Sequence, residues 1–228
     1  MPEPQQRVVR ERLVQSLDEM REGVLEMGSM VDKAIGYSMQ ALAARDLDLA
    51  QAVIDSDKAL NRKRFDIETE AVNILAMHQP MAGDLRFILA TQTIAVELER
   101  MGDYARGIAE IVVRMGYQPP VKPLIDLPGM AEAAQAMLRD VLDAYARRDA
   151  AAARTVPARD DAVDALNDRI YNDLIEVMIR NPDTVTRATY LLWITHNLER
   201  MADRVTNIAE RIVFMVTGEL VEMDVSSY

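Results

Sequence analysis

Hydrophobic residues recur at alternating steps of three and four along almost the whole chain, while the every-second-residue alternation of a half-buried strand is nearly absent. Steps of three and four keep side chains on one face of an α-helix. The pattern therefore predicts an all-α fold. Its breaks separate six predicted helices, at roughly residues 7–44, 47–77, 83–116, 128–147, 149–180 and 184–217.

Prolines and glycines mark the main breaks between these helices. Pro80 and Gly83 separate the second helix from the third, and Pro182 lies in the matching place before the sixth. The segment GYQPPVKPLIDLPG, residues 116–129, is rich in proline and is typical of a linker. We therefore predict two three-helix bundles joined by a linker. The predicted bounds are 1–116 for the first bundle, 117–127 for the linker and 128–228 for the second bundle.

The third and sixth helices contain nearly the same sequence. Residues 97–112 read ELERMGDYARGIAEIV and residues 197–212 read NLERMADRVTNIAERI, with eight identical positions out of sixteen. DKALN at 57–61 likewise resembles DDAVD at 160–164, at an offset of 103. A period near 100 residues that carries three helices predicts an internal duplication, in which each copy is one antiparallel bundle.

Each copy of the repeated helix carries a heptad seam of hydrophobic residues that we expect to be buried. Burial of each larger side chain contributes roughly 1.5–3 kcal/mol, so these seams are expected to supply much of the stability. The seam residues are Ile94, Leu98, Met101, Ala105, Ile108, Val112 and Met115 in the first copy, and Ile194, Leu198, Met201, Val205, Ile208, Ile212 and Met215 in the second.

Two acids that are spaced four residues apart lie beside the seam in each copy. Glu99 with Asp103, and Glu199 with Asp203, lie about 40° apart around the helix axis, and we expect them to face outward. One interpretation is a solvated face on which nearby arginines balance the carboxylates, which is the commoner arrangement. The candidate arginines are Arg100, Arg106, Arg200 and Arg204.

The other interpretation is a metal site in each bundle. The middle helix would add further oxygen ligands, namely Asp57 and Asn61 in the first copy and Asp160 and Asp164 in the second. The chain has no cysteine and only two histidines. Such a ligand set suits magnesium, calcium, manganese or ferric iron better than structural zinc.

Composition and charge disfavour several classes of function. A net charge of −11 argues against a nucleic-acid binder and against docking on an anionic membrane. The chain has no secretory signal and no apolar run long enough to cross a bilayer, so we expect a soluble intracellular protein. No phosphate-binding glycine loop, Gly-x-Ser-x-Gly or His-Glu-x-x-His motif occurs. We therefore predict that the protein is not an enzyme, with a metal hydrolase built on the acids as the alternative.

The segment AMHQPMAGDLRFI at 76–88, followed by ELERMGDYARGIAE and then by NLERMADRVTNIAERIVFMVTGE, resembles the PhoU family of bacterial phosphate-transport accessory proteins. The resemblance implies two three-helix bundles related by a pseudo-twofold axis. It implies a cytoplasmic negative regulator of phosphate uptake and of the phosphate-starvation response. It also implies a homodimer that bridges the ATPase subunit of the phosphate ABC transporter and a membrane sensor histidine kinase.

The resemblance further implies metal binding, because some family members carry iron or zinc clusters on Glu/Asp-x-x-x-Asp motifs. These motifs fall on Glu99 with Asp103, Asp160 with Asp164, and Glu199 with Asp203; the remaining pair, Asp57 with Asn61, has an amide in place of the second carboxylate. We therefore expect manganese, magnesium, iron or zinc as the bound ion. The alternative is a metal-independent helical adaptor whose acids contact a partner's arginines directly.

Overall fold

The computed structural model describes residues 4–121, 123–124 and 126–223, with side chains from residue 10 onward. The described residues form helices and contain no strand, which confirms the predicted all-α class. The helices are α1 (Pro4–Ala44), α2 (Leu47–His78), α3 (Ala82–Met115), α4 (Asp126–Arg147), α5 (Ala150–Ala153), α6 (Asp160–Arg180) and α7 (Val185–Thr217), with short 3-10 turns at Pro157–Arg159 and Pro182–Thr184. None of the described helices is apolar over the length that a bilayer crossing requires.

The prediction of one continuous helix over residues 149–180 is wrong, because the structure has an interruption in this segment. α5 ends at Ala153, and α6 begins only at Asp160 after the 3-10 turn that starts at Pro157. Proline has no backbone N–H and cannot continue the hydrogen-bond ladder of a helix interior. The interruption makes Asp160 the first residue of α6, where it belongs to the candidate site.

The seven α-helices of the described residues form two bundles, one built from α1, α2 and α3 and the other from α4, α5, α6 and α7. The bundles contact each other through α3 against α7 and α1 against α4, and the α3–α7 contact is the most extensive among the described helices. Each of these contacts joins a helix to its own counterpart in the other repeat. A twofold relation produces contacts of this self-paired kind, which confirms the predicted tandem bundles and their pseudo-twofold axis.

All fourteen seam residues of the repeated helix are buried, as predicted. They belong to one hydrophobic core that includes residues from both repeats. Close approach between the bundles is visible at Gly28 of α1, where an added Cβ would lie 2.2 Å from Leu142 Cδ1 of α4. Between α3 and α4, the Tyr145 hydroxyl lies 2.9 Å from Thr91 Oγ1 within the core. The two bundles therefore share their interior.

Candidate functional site

The predicted acidic residues form one group in each repeat. We call Asp57, Asn61, Glu99 and Asp103 the first-repeat cluster, and Asp160, Asp164, Glu199 and Asp203 the second-repeat cluster. In the first, the Glu99 and Asp103 carboxylates of α3 interact electrostatically with Asp57 of α2. In the second, Asp160 of α6 interacts with its neighbour Asp164 and with both acids of α7. The structure therefore places the middle-helix acids beside the acids of the repeated helix in both bundles.

The expectation that the paired acids face outward is wrong for the second copy of the repeated helix, whereas in the first copy the side chains of Glu99 and Asp103 are 17% and 44% exposed. Glu199 is 3% exposed and Asp203 is 9% exposed. On the middle helices, Asp57 is 7% and Asp160 is 3% exposed. These positions flank the hydrophobic seam, and in a three-helix bundle the neighbouring helix covers such flanking positions as well as the seam itself. The acids therefore line the contact between the second and third helix of each repeat.

Arginines balance the first-repeat cluster. Arg106 of α3 donates from Nη1 to Asp57 Oδ2 at 2.9 Å, and the same nitrogen lies 3.5 Å from Asp103 Oδ1. Asn61 donates from Nδ2 to the same Asp57 oxygen at 2.9 Å. Arg64 of α2 places Nε 3.5 Å from Glu99 Oε1. Three carboxylates therefore face two guanidinium groups.

The second-repeat cluster lacks both of these arginines. By the repeat offsets, Asn167 occupies the place of Arg64, and Thr206 occupies the place of Arg106. Arg200 donates to Asp203 Oδ2 at 2.9 Å, and His196 Nδ1 lies 3.5 Å from Glu199 Oε2. The two arginines that balance the first-repeat cluster therefore have no arginine counterpart at the matching positions of the second-repeat cluster.

Asp160 is nearly inaccessible to solvent in the second-repeat cluster, with 3% exposure. Neither of its carboxylate oxygens has a hydrogen-bond partner among the described residues. Burial, and then the negative charges of Asp164, Asp203 and Glu199, raise the pKa of Asp160 to about 7. A buried carboxylate without a partner is destabilising near neutral pH unless a cation or a proton neutralises it.

The first-repeat acids are perturbed in the same direction. Burial raises the pKa of Glu99, and the neighbouring Asp103 raises it further, while Arg64 acts against both effects. Burial also raises the pKa of Asp103, and Arg106 opposes that change. The arginines of this repeat therefore favour the charged form of acids that burial disfavours.

The two clusters differ in how well they fit a metal ion. Across the part of the chain that the structure describes, no three His, Asp or Glu side chains stand close enough to hold one ion as they are placed. The second-repeat cluster nevertheless provides oxygen donors and the unpartnered Asp160, and rotation of its side chains would be needed to bring several oxygens onto one cation. The first-repeat cluster does not fit, because the Arg106 guanidinium lies between the carboxylates of α2 and α3.

Two features of the site were missed by the sequence analysis. Arg64 was not identified as a counter-ion, although its replacement by Asn167 in the other repeat is a readable signal. A polar contact between α3 and α7 was also missed. Buried Glu97 accepts hydrogen bonds from Arg204 Nη1 at 3.3 Å and from Asn207 Nδ2 at 3.2 Å. A sequence signal for this contact is the difference between glutamate at 97 and asparagine at 197 in the two copies.

Comparison with known proteins matches both repeats. The PhoU domain model matches residues 24–112 and again 127–212. The phosphate-specific transport system accessory protein PhoU homolog of Clostridium acetobutylicum is 35% identical over 209 residues, which cover 91% of this chain and 95% of the relative. The protein of the same name from Rhizobium meliloti is 38% identical over 196 residues, covering 86% of this chain and 83% of the relative.

Solved structures agree with the sequence comparison. The phosphate transport system regulatory protein PhoU from Streptococcus pneumoniae superposes with a TM-score of 0.87 at 30% identity, covering 92% of this chain and 100% of the other. PhoU from Pseudomonas aeruginosa superposes with a TM-score of 0.85 at 32% identity, covering 90% of this chain and 99% of the other. The similarity therefore extends over both bundles and their relative placement.

Proposed function

The chain belongs to the PhoU family, and we propose that it acts in the cytoplasm as the accessory regulator of a phosphate-specific transport system. The observation that carries this proposal is the match of both repeats, over most of their length, to proteins named for that role. In the proposed role the protein represses phosphate uptake and the phosphate-starvation response. It does so by joining the ATPase subunit of the phosphate ABC transporter to a sensor histidine kinase.

Deletion of the gene in its host tests this role. In medium with excess phosphate, a phosphate-starvation reporter should become active in the deletion strain and return to its repressed level when the chain is supplied from a plasmid. Purified chain should also capture the transporter ATPase. A reporter that stays repressed in the deletion strain would contradict the regulatory role.

We further propose that the second-repeat cluster binds a manganese, magnesium, iron or zinc ion. The observation that supports it is the buried Asp160 carboxylate, both of whose oxygens lack a hydrogen-bond partner among the described residues. Glu199, Asp203 and Asp164 would provide the other oxygen ligands, a donor set that suits hard cations. A bound cation would supply the positive charge that the arginines supply in the first repeat.

Thermal unfolding with added metal tests the site. After dialysis against EDTA, Mn²⁺ at about 100 times its Kd should stabilise the protein by about 2.7 kcal/mol, which raises Tm by about 5–10 °C in a chain of this size. Glu199→Gln with Asp203→Asn should abolish the rise, because these acids are the proposed ligands on α7. The matched control is Asp168→Asn with Glu176→Gln, which removes the same charge from exposed positions of α6. A rise that persists in the ligand variant would show that the ion binds elsewhere.

A metal-independent adaptor is the second candidate function. The observation that favours it is that, as placed, no three acidic or histidine side chains of the described residues surround a single point. In this case the acids that are accessible to solvent, such as Asp103 with a side chain that is 44% exposed, contact arginines of the partner directly. Capture of the transporter ATPase would then be insensitive to EDTA and would weaken steeply with salt, because exposed ion pairs are screened. Loss of capture in EDTA alone would count against this candidate.

The proposed regulator is a homodimer without catalytic activity, and it binds no nucleic acid and does not insert into the membrane. Light scattering of the purified chain would measure the dimer mass. Hydrolysis of a simple phosphate ester that is lost in Asp203→Asn would contradict the non-catalytic role and would favour a metal hydrolase.

A further inference from the structure

We infer that the first repeat carries its own counter-ion, with Arg106, assisted by Arg64, taking the place that a metal cation would take in the first-repeat cluster. This inference rests on the proposed cation site of the second repeat, because it explains why the duplicated motif is not a duplicated metal site. It also restricts cation binding in this chain to one of the two repeats.

The position of Arg106 is the first observation. Its Nη1 lies 2.9 Å from Asp57 Oδ2 on α2 and 3.5 Å from Asp103 Oδ1 on α3, and its Nε lies 3.3 Å from Glu110 Oε1. A cation shared by the acids of α2 and α3 would have to lie between the same carboxylates. The guanidinium and such a cation therefore exclude each other.

Two further hydrogen-bond donors lie beside Asp57 and Glu99. Asn61 points its Nδ2 at Asp57 Oδ2 at 2.9 Å, where a metal would need an oxygen. Arg64 approaches Glu99 Oε1 at 3.5 Å through Nε. The Arg64 side chain is 18% exposed and that of Arg106 is 39% exposed. Each arginine also pairs with a second acid on its own helix, Arg64 with Glu68 and Arg106 with Glu110. The first-repeat cluster is thus balanced by the protein's own side chains.

Comparison with the second repeat shows what these arginines replace. Thr206 stands in the place of Arg106, and its buried hydroxyl has no hydrogen-bond partner among the described residues. Asn167 stands in the place of Arg64, and Asp164 stands in the place of Asn61. Each of the three differences makes the net charge of the second-repeat cluster more negative than that of the first-repeat cluster. Asp57 Oδ2 receives hydrogen bonds from Asn61 and Arg106, whereas its counterpart Asp160 receives none from the described residues.

The protein energetics favour exclusion of metal from the first repeat. Binding there would require the metal ion to displace the Arg106 guanidinium from the buried Asp57 carboxylate, so the loss of that ion pair would offset much of the gain from the metal charge. In the second repeat, metal binding would add a positive charge beside the Asp160 carboxylate, which has no hydrogen-bond partner among the described residues. A metal ion would therefore bind the second repeat much more tightly than the first.

The test is to give the first repeat the residues of the second. Arg64→Asn with Arg106→Thr copies Asn167 and Thr206 into the first-repeat cluster. Mn²⁺ binding to the full chain is measured by isothermal titration calorimetry after EDTA treatment, with the bound metal counted by atomic absorption. Arg62→Asn with Arg114→Thr is the matched control, because it removes the same charge from the same two helices at exposed positions without an ion pair among the described residues.

We expect the unmodified chain to bind Mn²⁺ at the second repeat alone. Binding should then be lost in Glu199→Gln/Asp203→Asn and unchanged in Glu99→Gln/Asp103→Asn. The arginine variant should gain a second Mn²⁺-binding event, which disappears when Glu99→Gln/Asp103→Asn is added. It should also have a lower Tm than the unmodified chain in EDTA and recover in Mn²⁺.

Two results would overturn the inference: loss of Mn²⁺ binding from the unmodified chain in Glu99→Gln/Asp103→Asn, or a folded arginine variant that binds no more Mn²⁺ than its control. The first result does not require the arginine variant to fold. If the unmodified chain binds no Mn²⁺ but the arginine variant does, the counter-ion inference stands and the proposed second-repeat site is wrong. If neither binds, both are wrong.

Discussion

Two buried carboxylates of this protein differ in the side chains that neutralise their negative charge. Asp57 and Asp160 are counterparts in the two repeats and are both nearly inaccessible to solvent. Asp57 receives hydrogen bonds from Asn61 and Arg106, whereas Asp160 receives none from the described residues. The difference in charge balance is therefore set by single residues on neighbouring helices.

The raised pKa of Asp160 predicts that this residue destabilises the metal-free protein at neutral and alkaline pH. Its pKa rises from 3.8 to about 7 on folding, so between these values the folded protein holds a proton that the unfolded chain has released. Stability therefore falls as pH rises through this window, and the full effect is present above it. Asp160→Asn should raise the free energy of unfolding by about 2–4 kcal/mol at pH 8 in EDTA, and by little near pH 4.

Urea unfolding at both pH values measures this effect. The control is Asp161→Asn, which removes the same charge from the exposed neighbour and should change stability by less than about 0.5 kcal/mol. Equal effects of the two substitutions at pH 8 would mean that Asp160 is solvated in the folded protein.

At the scale of helices, the contact between α2 and α3 depends on paired residue sizes. A Cβ added at Gly102 of α3 would lie 2.1 Å from Leu60 Cδ2 of α2. In the second repeat the corresponding positions hold Ala202 and Val163. A larger residue on one helix is therefore matched by a smaller residue on the other, as close packing of interiors requires.

We predict that substitutions at Gly102 and Leu60 compensate each other in their effects on stability. Gly102→Ala should destabilise the protein by about 1–3 kcal/mol, because overpacking of the Leu60 side chain outweighs the gain in helix propensity. Combining it with Leu60→Val reproduces the second-repeat pair and should recover most of that loss. Denaturant unfolding of the two single variants and the double variant gives the coupling energy. Additive effects would show that the two side chains do not compete for space.

The whole molecule has one core, although its sequence contains two bundles. Seam residues of α3 and α7 are buried in the same hydrophobic cluster, and α3 and α7 form the most extensive contact of the described helices. Buried Glu97 adds hydrogen bonds from α3 to Arg204 and Asn207 of α7. We therefore expect the two repeats to unfold together.

A core substitution in one repeat should weaken the other equally. Ile208→Ala truncates a fully buried side chain of α7 and should destabilise the protein by about 2–5 kcal/mol. Hydrogen exchange of the slowest amides in α3 should show the same loss of opening free energy as α7. Val216→Ala, at a partly exposed position of α7, should leave both helices nearly unchanged. Loss of protection in α7 alone would mean that the repeats unfold independently.

Much of the fold followed from the sequence because helical periodicity is a local property. The seam from Ile94 to Met115 and its counterpart in α7 were predicted correctly from spacing, and so was the duplication. The break before Asp160 was missed, since Pro157 lies in an otherwise helical pattern and only the observed turn shows where the helix restarts. Spacing also grouped the acids of each cluster, but it misjudged the exposure of Glu199 and Asp203.

The sequence by itself determined the helices, their hydrophobic faces, the twofold repetition and the resemblance to the PhoU family, because each depends on residues within one helix or on direct comparison of the two copies. The tertiary structure decided that Asp160, Glu199 and Asp203 are buried, that Arg106 balances Asp57, and that both repeats share one core. These properties depend on which helix covers a given face. The packing of helices that are far apart in the chain determines which face is covered, and a local sequence pattern does not contain this information.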